Sequence, residues 1–497
     1  MVVIVKQPKL LPGVPGDLLS RLTNKSLFIS DAFVDGEWVK GEKPSTGKAF
    51  SKVANLNISD FEKAIKSAKV AQNKYYRSTT GPQRGVLLRK WFDLIIENKK
   101  DLATILCHEN GKTFAESEGE IIYAASFISW FSEEASRSYG DTIPSSTPNT
   151  TILTLKQPVG VCGIITPWNF PAAMITRKIG PALAAGCAVV IKPPSATPHT
   201  CLALTKLAIE AGLPGKCIQV CTTKNREAAS ELARHPDIAK ISFTGSTGVG
   251  KMLAALAAKT LKRVSLELGG NAPFIVFDDA DLDLAVEGAM VCKFRCSGQT
   301  CVCANRLLVQ KGVVKDFTAR LVKKVNELKM GCGSDPTTTQ GPLVNQKAVD
   351  KVQEHVRDAI AKGAILETGG FRPKSPGFFF APTVLSGAIA NMKIATEETF
   401  GPVAAIFEFE TEGEAIEMAN NTEFGLAGYF FSKDIGRVLR VAKELESGMV
   451  GVNTGKISAS ESPFGGVKES GYGREGSKYG LAEYEILKTV TIGNTNV

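Results

Sequence analysis

The stretch CSGQTCVCANR, residues 296–306, carries Cys296, Cys301 and Cys303 within eight positions. Thiols this dense can be metal ligands, disulfide partners, nucleophiles or small buried hydrophobes. The spacing Cys296-x4-Cys301-x-Cys303 is not a zinc pattern, and His108, His199, His235 and His355 all stand far from it in sequence. The 11 cysteines are an odd number scattered through a long chain, which argues against a secreted disulfide framework. Buried packing is the default for most of them, and Cys301 is the candidate nucleophile. A thiolate attacks a carbonyl carbon readily once it is exposed and deprotonated. No histidine is near in sequence to activate it, so the base to look for is a carboxylate.

VSLELGGNAPFIV (264–276) sets Glu267 among apolar neighbours. Burial there would raise its proton affinity toward the neutral range and suit it to general-base work. The competing reading is an alternating strand with Ser265 and Glu267 on its outer face. ITPWNFP (165–171) places Asn169 between a strand and a helix, where its amide could donate to a developing oxyanion or cap the helix. A cysteine, a glutamate and an amide donor together can turn an aldehyde into a thiohemiacetal. A hydride acceptor then oxidises it to a thioester, which a Glu-activated water hydrolyses.

FTGSTGVGKM (243–252) nearly spells a phosphate loop, but Met252 stands where Ser or Thr should hold Mg2+, and no G-x-G-x-x-G is present. The segment still reads as strand, tight turn and helix start, which offers backbone N–H groups and a dipole to a phosphate. A phosphate-loop NTPase is the alternative from a different functional class, and Met252 disfavours it.

The elements that must position these residues follow from periodicity. The first ~45 residues read as loop, ending in a hairpin with Asp35-Gly36 as a two-residue turn. From 59 to 135 apolar residues recur at three- and four-residue spacing, a helical pattern. Between 159 and 277 strands (VGVCGIIT, AVVIKP, CIQVC, IAKISFTG) alternate with helices (AAMITRKIGPALAAG, HTCLALTKLAIEAGLPG, REAASELARHP, STGVGKMLAALAAK). That implies a parallel sheet covered on both faces, with ligands beyond the carboxyl ends of its strands. A second α/β series runs over 283–460. TTILTLK (150–156) and YEILKTVTI (484–492) are β-prone and lie outside both series. An exposed β edge invites pairing with another subunit, so a homo-oligomer, dimer or tetramer, is expected.

TPWNFP, FTGSTGVG, LELGG, GQTC, EETFGP and PFGGVKESGYGREG occur in this order along the chain. As a set they resemble the aldehyde dehydrogenase superfamily over nearly the whole sequence, and within it the succinate-semialdehyde dehydrogenases. The resemblance implies an α/β fold with two doubly wound parallel-sheet domains and a small β oligomerisation segment. The Rossmann-like cofactor domain would span 1–149 and 157–268, the catalytic domain 269–465, and the oligomerisation segment 150–156 and 478–497. Cys301 would be the nucleophile, Glu267 the general base, and Asn169 an oxyanion donor with the Cys301 N–H. Lys192 would contact the cofactor's ribose or phosphate, and Gly245 and Ser246 would lie by the pyrophosphate. Glu398 would bind the nicotinamide ribose and Phe400 would pack near the ring. Thr166, Pro167, Trp168 and Leu268 would line the same cofactor site.

Relatives that prefer NAD often carry Glu where Ser195 stands. Its carboxylate would bind the adenine ribose and repel a 2′-phosphate. Ser195 removes that charge and can donate to the phosphate, and Lys192 adds attraction, so NADP is expected, with NAD the weaker cofactor. Arg177, Arg295 and Ser458 would hold the distal carboxylate of a semialdehyde. The expected reaction is oxidation of succinate semialdehyde to succinate, a step that fits 4-aminobutyrate degradation. Glutarate semialdehyde or a broad range of aliphatic aldehydes are the alternatives within the same chemistry. Relatives usually carry Asn-Ala where Cys296-Ser297 precede GQTC, a departure that bears on substrate tuning. Cys303, two residues from the nucleophile, could trap it reversibly as a disulfide.

The bulk numbers agree with an ordinary globular enzyme: 43% hydrophobic, 22% charged, formal net charge +9. No dense Lys/Arg run is present, which argues against a nucleic-acid partner, while a mild positive bias suits anionic small molecules. No run approaches the ~18 apolar residues of a membrane span. The N-terminal MVVIVKQPKLLPGVPGDLLSRL lacks the marks of a signal or transit peptide, so a cytosolic protein is expected, without a metal.

Overall fold

Short apolar strands with helices between them have one stable arrangement, a parallel sheet buried on both faces. The computed structural model, which describes residues 2–5, 18–39 and 51–494, has two such sheets. The first has eight strands in the order Gly471–Tyr472, Arg263–Glu267, Ile238–Thr244, Val161–Ile165, Ala188–Lys192, Ile218–Val220, Ala32–Val34, Glu37–Val39. Its five central strands are parallel. The hairpin Ala32–Val39 and the short Gly471–Tyr472 strand add antiparallel edges. Asp35 and Gly36 turn the hairpin with φ of 57° and 82°, the left-handed pair such a turn requires.

The parallel part of this sheet begins at Val161–Ile165, builds outward to one side, then returns to place Ile238–Thr244 on the other. Strand order therefore reverses between these two neighbours, and a crevice opens beyond their carboxyl ends. Thr166–Asn169 and Gly245–Ser246 are the residues that follow those ends.

The second sheet has seven strands in the order Ile365–Thr368, Thr383–Ser386, Val403–Phe409, Ala304–Gln310, Ala272–Val276, Ala427–Phe431, Met449–Val452. All neighbours are parallel except the first pair. Every residue of Ala272–Val276 is buried, the continuous pattern of a central parallel strand. The helix Ala173–Ala185 is buried all round, packed between the first sheet and the helix Phe114–Glu134. Burying each Leu or Ile side chain of such a helix contributes roughly 1.5–3 kcal/mol.

TTILTLK and YEILKTVTI pair with each other, as Thr151–Pro158 against Glu485–Ile492 in antiparallel register from Glu485↔Pro158 to Ile492↔Thr151. Thr142–Pro144 adds a third strand, although it lies in the span assigned above to the cofactor domain. Gly471–Tyr472, beyond the span assigned to the catalytic domain, likewise joins the first sheet. The loop reading of the N-terminus falls largely on residues 1, 6–17 and 40–50, outside the described residues, whereas Val2–Val5 pairs with Ser51–Ala54 as two strands.

Candidate active site

Cys301 lies in a turn between the helix Leu282–Phe294 and the strand Ala304–Gln310, at the amino end of the second sheet. The loop before it runs through three left-handed residues, Cys296 (φ 52°), Ser297 (φ 54°) and Gly298 (φ 71°). For Cys and Ser that conformation costs on the order of 1–3 kcal/mol each and must be held from outside. The Cys296 N–H donates to Glu116 Oε1 at 2.7 Å, and Ser297 Oγ donates to the Gly341 carbonyl at 2.7 Å. Gln299 Nε2 donates to the Cys296 carbonyl at 3.1 Å, and Gln299 Oε1 accepts from the Val344 N–H at 2.9 Å. The Gln of GQTC thus clamps the nucleophile's loop. Ser297, at the position that departs from relatives, fastens the same loop through its hydroxyl.

Gly270, on the link between the two sheets, packs directly on this turn. A Cβ there would stand 2.4 Å from the Cys301 carbonyl oxygen. Only glycine lets the link carrying Glu267 approach the loop carrying Cys301 so closely.

Glu267 ends the strand Arg263–Glu267 and is 1% exposed. Ser265 and Leu266 are buried as well, so the outward-face reading of this strand does not hold. Neither Glu267 carboxylate oxygen has a hydrogen-bond partner. Burial and the neighbouring Glu475 push its carboxyl well above the ordinary range, against the pull of Arg177, Lys178 and Arg474. Burial also raises the Cys301 thiol to about 12, opposed mainly by Arg177. Asn169, 4% exposed, donates from Nδ2 to the Gln299 carbonyl at 2.9 Å and accepts from the Phe170 N–H at 3.1 Å. One of its two amide protons remains for an oxyanion.

Two residues that sequence reasoning passed over organise this centre. Glu475, within the quoted GYGREG, sits beside Arg177 Nε at 2.7 Å and also receives the Lys178 ammonium. Lys178 Nζ further donates to Ser242 Oγ at 3.1 Å. The Arg177 contact is an ion pair rather than an aligned hydrogen bond, because neither atom reaches hydrogen-bonding geometry. No local signal marks these partners, since they are 297 residues apart in sequence.

Arg295 and Ser458, expected on the substrate side, are brought to one cavity, and Arg177 is not. A cavity of about 430 Å³ is lined by Arg295 and Ser458 together with Lys112, Tyr123, Phe170 and Lys456, and by the carboxylates Glu116, Glu120 and Glu461. The Arg295 guanidinium lies 5.3 Å over the Phe170 ring, and its buried Nε has no partner. Arg177 is not in that lining. It is 1% exposed, stacked 3.9 Å over Phe464 and 5.2 Å over Phe127, and held by Glu475. The picture of two free guanidiniums side by side is thus corrected. Arg177 is primarily an ion-pair partner, with only Nη2 unspent. Lys456 and Tyr123 are cavity residues that no motif announced.

The cofactor-side residues gather around the crevice of the first sheet. Thr166 Oγ1 and Thr244 Oγ1 are buried without partners, at the ends of neighbouring strands. Lys192 ends the next strand, and burial lowers its ammonium to about 8. Pro167 and Trp168 follow Thr166; the Trp168 carbonyl accepts from Asn110 Nδ2 at 2.8 Å, and its ring stands edge-on to Phe400 at 5.8 Å. The Gly245 N–H donates to the Glu267 carbonyl at 3.0 Å, and Ser246 begins the helix Thr247–Ala258 with no side-chain cap. Leu268 packs on that helix so tightly that a Cβ on Gly250 would meet it at 2.4 Å. Glu398 Oε1 accepts from the Gly270 N–H at 3.1 Å, and burial raises its carboxyl to about 7. Orphaned hydroxyls, an unpaired ammonium and an uncapped helix start fit a phosphate-bearing dinucleotide. One detail differs from expectation: Ser195 Oγ donates to the Thr223 carbonyl at 3.0 Å, so its proton is already engaged.

Among the described residues no three His, Cys, Asp or Glu side chains gather as a metal site, and no helix is long and apolar enough to cross a membrane. Cys301 and Cys303 are both free thiols, and Cys303 is buried with Sγ directed at the Lys293 carbonyl, 3.5 Å away.

A profile of the aldehyde dehydrogenase family matches residues 33–490. A glutarate-semialdehyde dehydrogenase of Pseudomonas aeruginosa is 51% identical over 481 residues, 95% of this chain and 99% of the relative. An NADP(+) succinate-semialdehyde dehydrogenase of Escherichia coli is 50% identical over 481 residues, 95% of this chain and 100% of the relative. The crystal structure of a succinate-semialdehyde dehydrogenase from Burkholderia pseudomallei superposes with a TM-score of 0.93 at 50% identity, covering 95% of this chain and 99% of that one.

Proposed function

The chain belongs to the aldehyde dehydrogenase family, and from that premise we propose that it oxidises succinate semialdehyde to succinate with NADP+ as acceptor. The observation that carries the substrate class is the buried, unpartnered Arg295 Nε in a cavity that Ser458 and Lys456 also line, where Glu116 and Glu120 are already engaged by the Cys296 N–H and Lys112. A carboxylate is the acceptor-only group such a wall recognises. The nearby glutarate-semialdehyde relative supports a second reading, in which the substrate is one methylene longer.

In this reading Cys301 adds to the aldehyde carbon as its proton leaves toward Glu267. The growing oxyanion is met by the free amide proton of Asn169 and the Cys301 N–H. The bound nicotinamide supplies the hydride acceptor that converts the thiohemiacetal to a thioester. Glu267 then takes a proton from water, which attacks the thioester carbon and releases Cys301. Glu475, Arg177 and Lys178 set the proton affinity of Glu267 without touching the substrate. The balance is aldehyde, water and NADP+ to carboxylate, NADPH and two protons.

Thr166, Pro167, Trp168, Lys192, Gly245, Ser246, Leu268, Glu398 and Phe400 hold the dinucleotide. The preference for NADP rests on Lys192 and on the lack of a carboxylate at Ser195. The first sheet is the core of a cofactor domain and the second of a catalytic domain. Exposed Leu155, Leu487 and Ile492 on the three-stranded sheet support self-association as a dimer or tetramer, which sedimentation tests. A cytosolic role in 4-aminobutyrate degradation fits the substrate.

Initial rates of cofactor reduction with succinate semialdehyde, glutarate semialdehyde and hexanal, each with NADP and NAD, test the reading. The highest kcat/KM is expected for succinate semialdehyde with NADP. Faster turnover of hexanal than of either semialdehyde would overturn the substrate class.

A further inference from the structure

The cavity beside Arg295 holds buried donors left over after its own carboxylates are engaged, Glu116 by the Cys296 N–H and Glu120 by Lys112. Tyr123, on the helix Phe114–Glu134, lines the cavity, and its buried hydroxyl makes no well-aligned hydrogen bond, with the Ser458 hydroxyl in reach. Arg295 Nε and Arg177 Nη2 are buried and unpartnered in the same way. A buried polar group left unpaired is costly, and a native fold keeps one where a ligand satisfies it. Tyr123 and Arg295, the two of these in the lining, call for an acceptor-only ligand with more than one lone pair to offer. A carboxylate, with two oxygens, is the smallest such group.

The position of the hydroxyl is defined by packing. The Tyr123 ring stands edge-on to Phe127 at 4.9 Å and 65°, and Phe127 in turn carries the Arg177 guanidinium on its face. Arg177, Arg295, Ser458 and Cys301 are all near enough to bear on the ionisation of the phenol. Burial holds that phenol protonated, so it can only donate to an anion. Tyr123 therefore shares the cavity wall with Arg295 and Ser458, within electrostatic reach of Cys301.

The geometry points to Tyr123 as a specificity-determining residue, whose hydroxyl donates a hydrogen bond to the distal carboxylate of the semialdehyde alongside Arg295. This assignment rests on the substrate class proposed above. It adds a third type of contact to the guanidinium and serine hydroxyl, a donor on a rigid ring that loses little freedom on binding.

The test is Tyr123→Phe, which removes one oxygen and keeps the ring. The expected result is a KM for succinate semialdehyde higher by about 10- to 100-fold with kcat little changed. Inhibition by succinate should weaken in parallel, hexanal kinetics should stay at the parent's values, and Tm should not fall. An unchanged KM for succinate semialdehyde overturns the assignment. So does an equal loss with hexanal together with a lower Tm, which would make Tyr123 a packing residue. A parent enzyme that prefers hexanal removes the proposed substrate class itself, and Tyr123's role with it; the parent rates alone identify that failure.

Discussion

Glu475 stands 2.7 Å from Arg177 Nε, both side chains at most 5% exposed, and its other oxygen receives Lys178. One carboxylate thus balances two buried cations a residue apart in sequence. The same carboxylate is the nearest negative charge acting on Glu267. A structural ion pair and the proton affinity of Glu267 thereby depend on the same carboxylate.

Glu475→Gln should destabilise the protein by about 3–5 kcal/mol, because it leaves buried cations without a counter-charge. It should also ease ionisation of Glu267, since the charge that raises its proton affinity is gone. A base acts when deprotonated, so the acidic limb of kcat should move to lower pH. Thermal melts and a pH profile read the two effects separately; a profile that stays in place would disconnect Glu475 from the base.

Glu267→Gln should slow steady turnover by about 10²- to 10⁴-fold, the usual weight of general-base assistance. Thioester formation should outlast thioester hydrolysis in this variant. Rapid mixing should then show close to one reduced cofactor per site followed by a stall. Cys301→Ala should show neither burst nor turnover.

Arg295→Met should lower kcat/KM for succinate semialdehyde by about 10- to 100-fold while sparing hexanal, since a charged hydrogen bond is lost and the apolar stem is kept. Equal losses on both aldehydes would make Arg295 a scaffold residue like Arg177.

Ser195→Glu should turn cofactor preference toward NAD, because a carboxylate repels a 2′-phosphate and accepts from ribose hydroxyls. The ratio of kcat/KM for NADP over NAD should fall by at least about tenfold, by the charge contribution alone. Comparable ratios in parent and variant would place the selectivity elsewhere.

Much of this was legible in residue order. The strands Val161–Ile165, Ala188–Lys192 and Ile238–Thr244 announce themselves as apolar runs between glycine-closed helices. Parallel strands buried on both faces need such runs, so local composition and global fold agree. GQTC, LELGG and TPWNFP marked the nucleophile, the base and the amide for the same reason: each lies at a strand end or turn where short-range chemistry is explicit. Tyr123 and Lys456 carried no such mark, one inside a long helix and the other in a loop of ordinary composition.

The sequence by itself determined the α/β alternation, the residues with reactive side chains and the family. Those depend on local spacing, on side-chain chemistry and on motifs read in order. Only the tertiary structure decided which charges face each other. Arg177 and Arg295 look alike as residues, yet Glu475 arrives from the far end of the chain to claim the first. The second, over Phe170 beside the cavity, has no carboxylate in ion-pair contact among the described residues. Coulomb interactions act across space and not along sequence, so their partners are known only once the chain has folded.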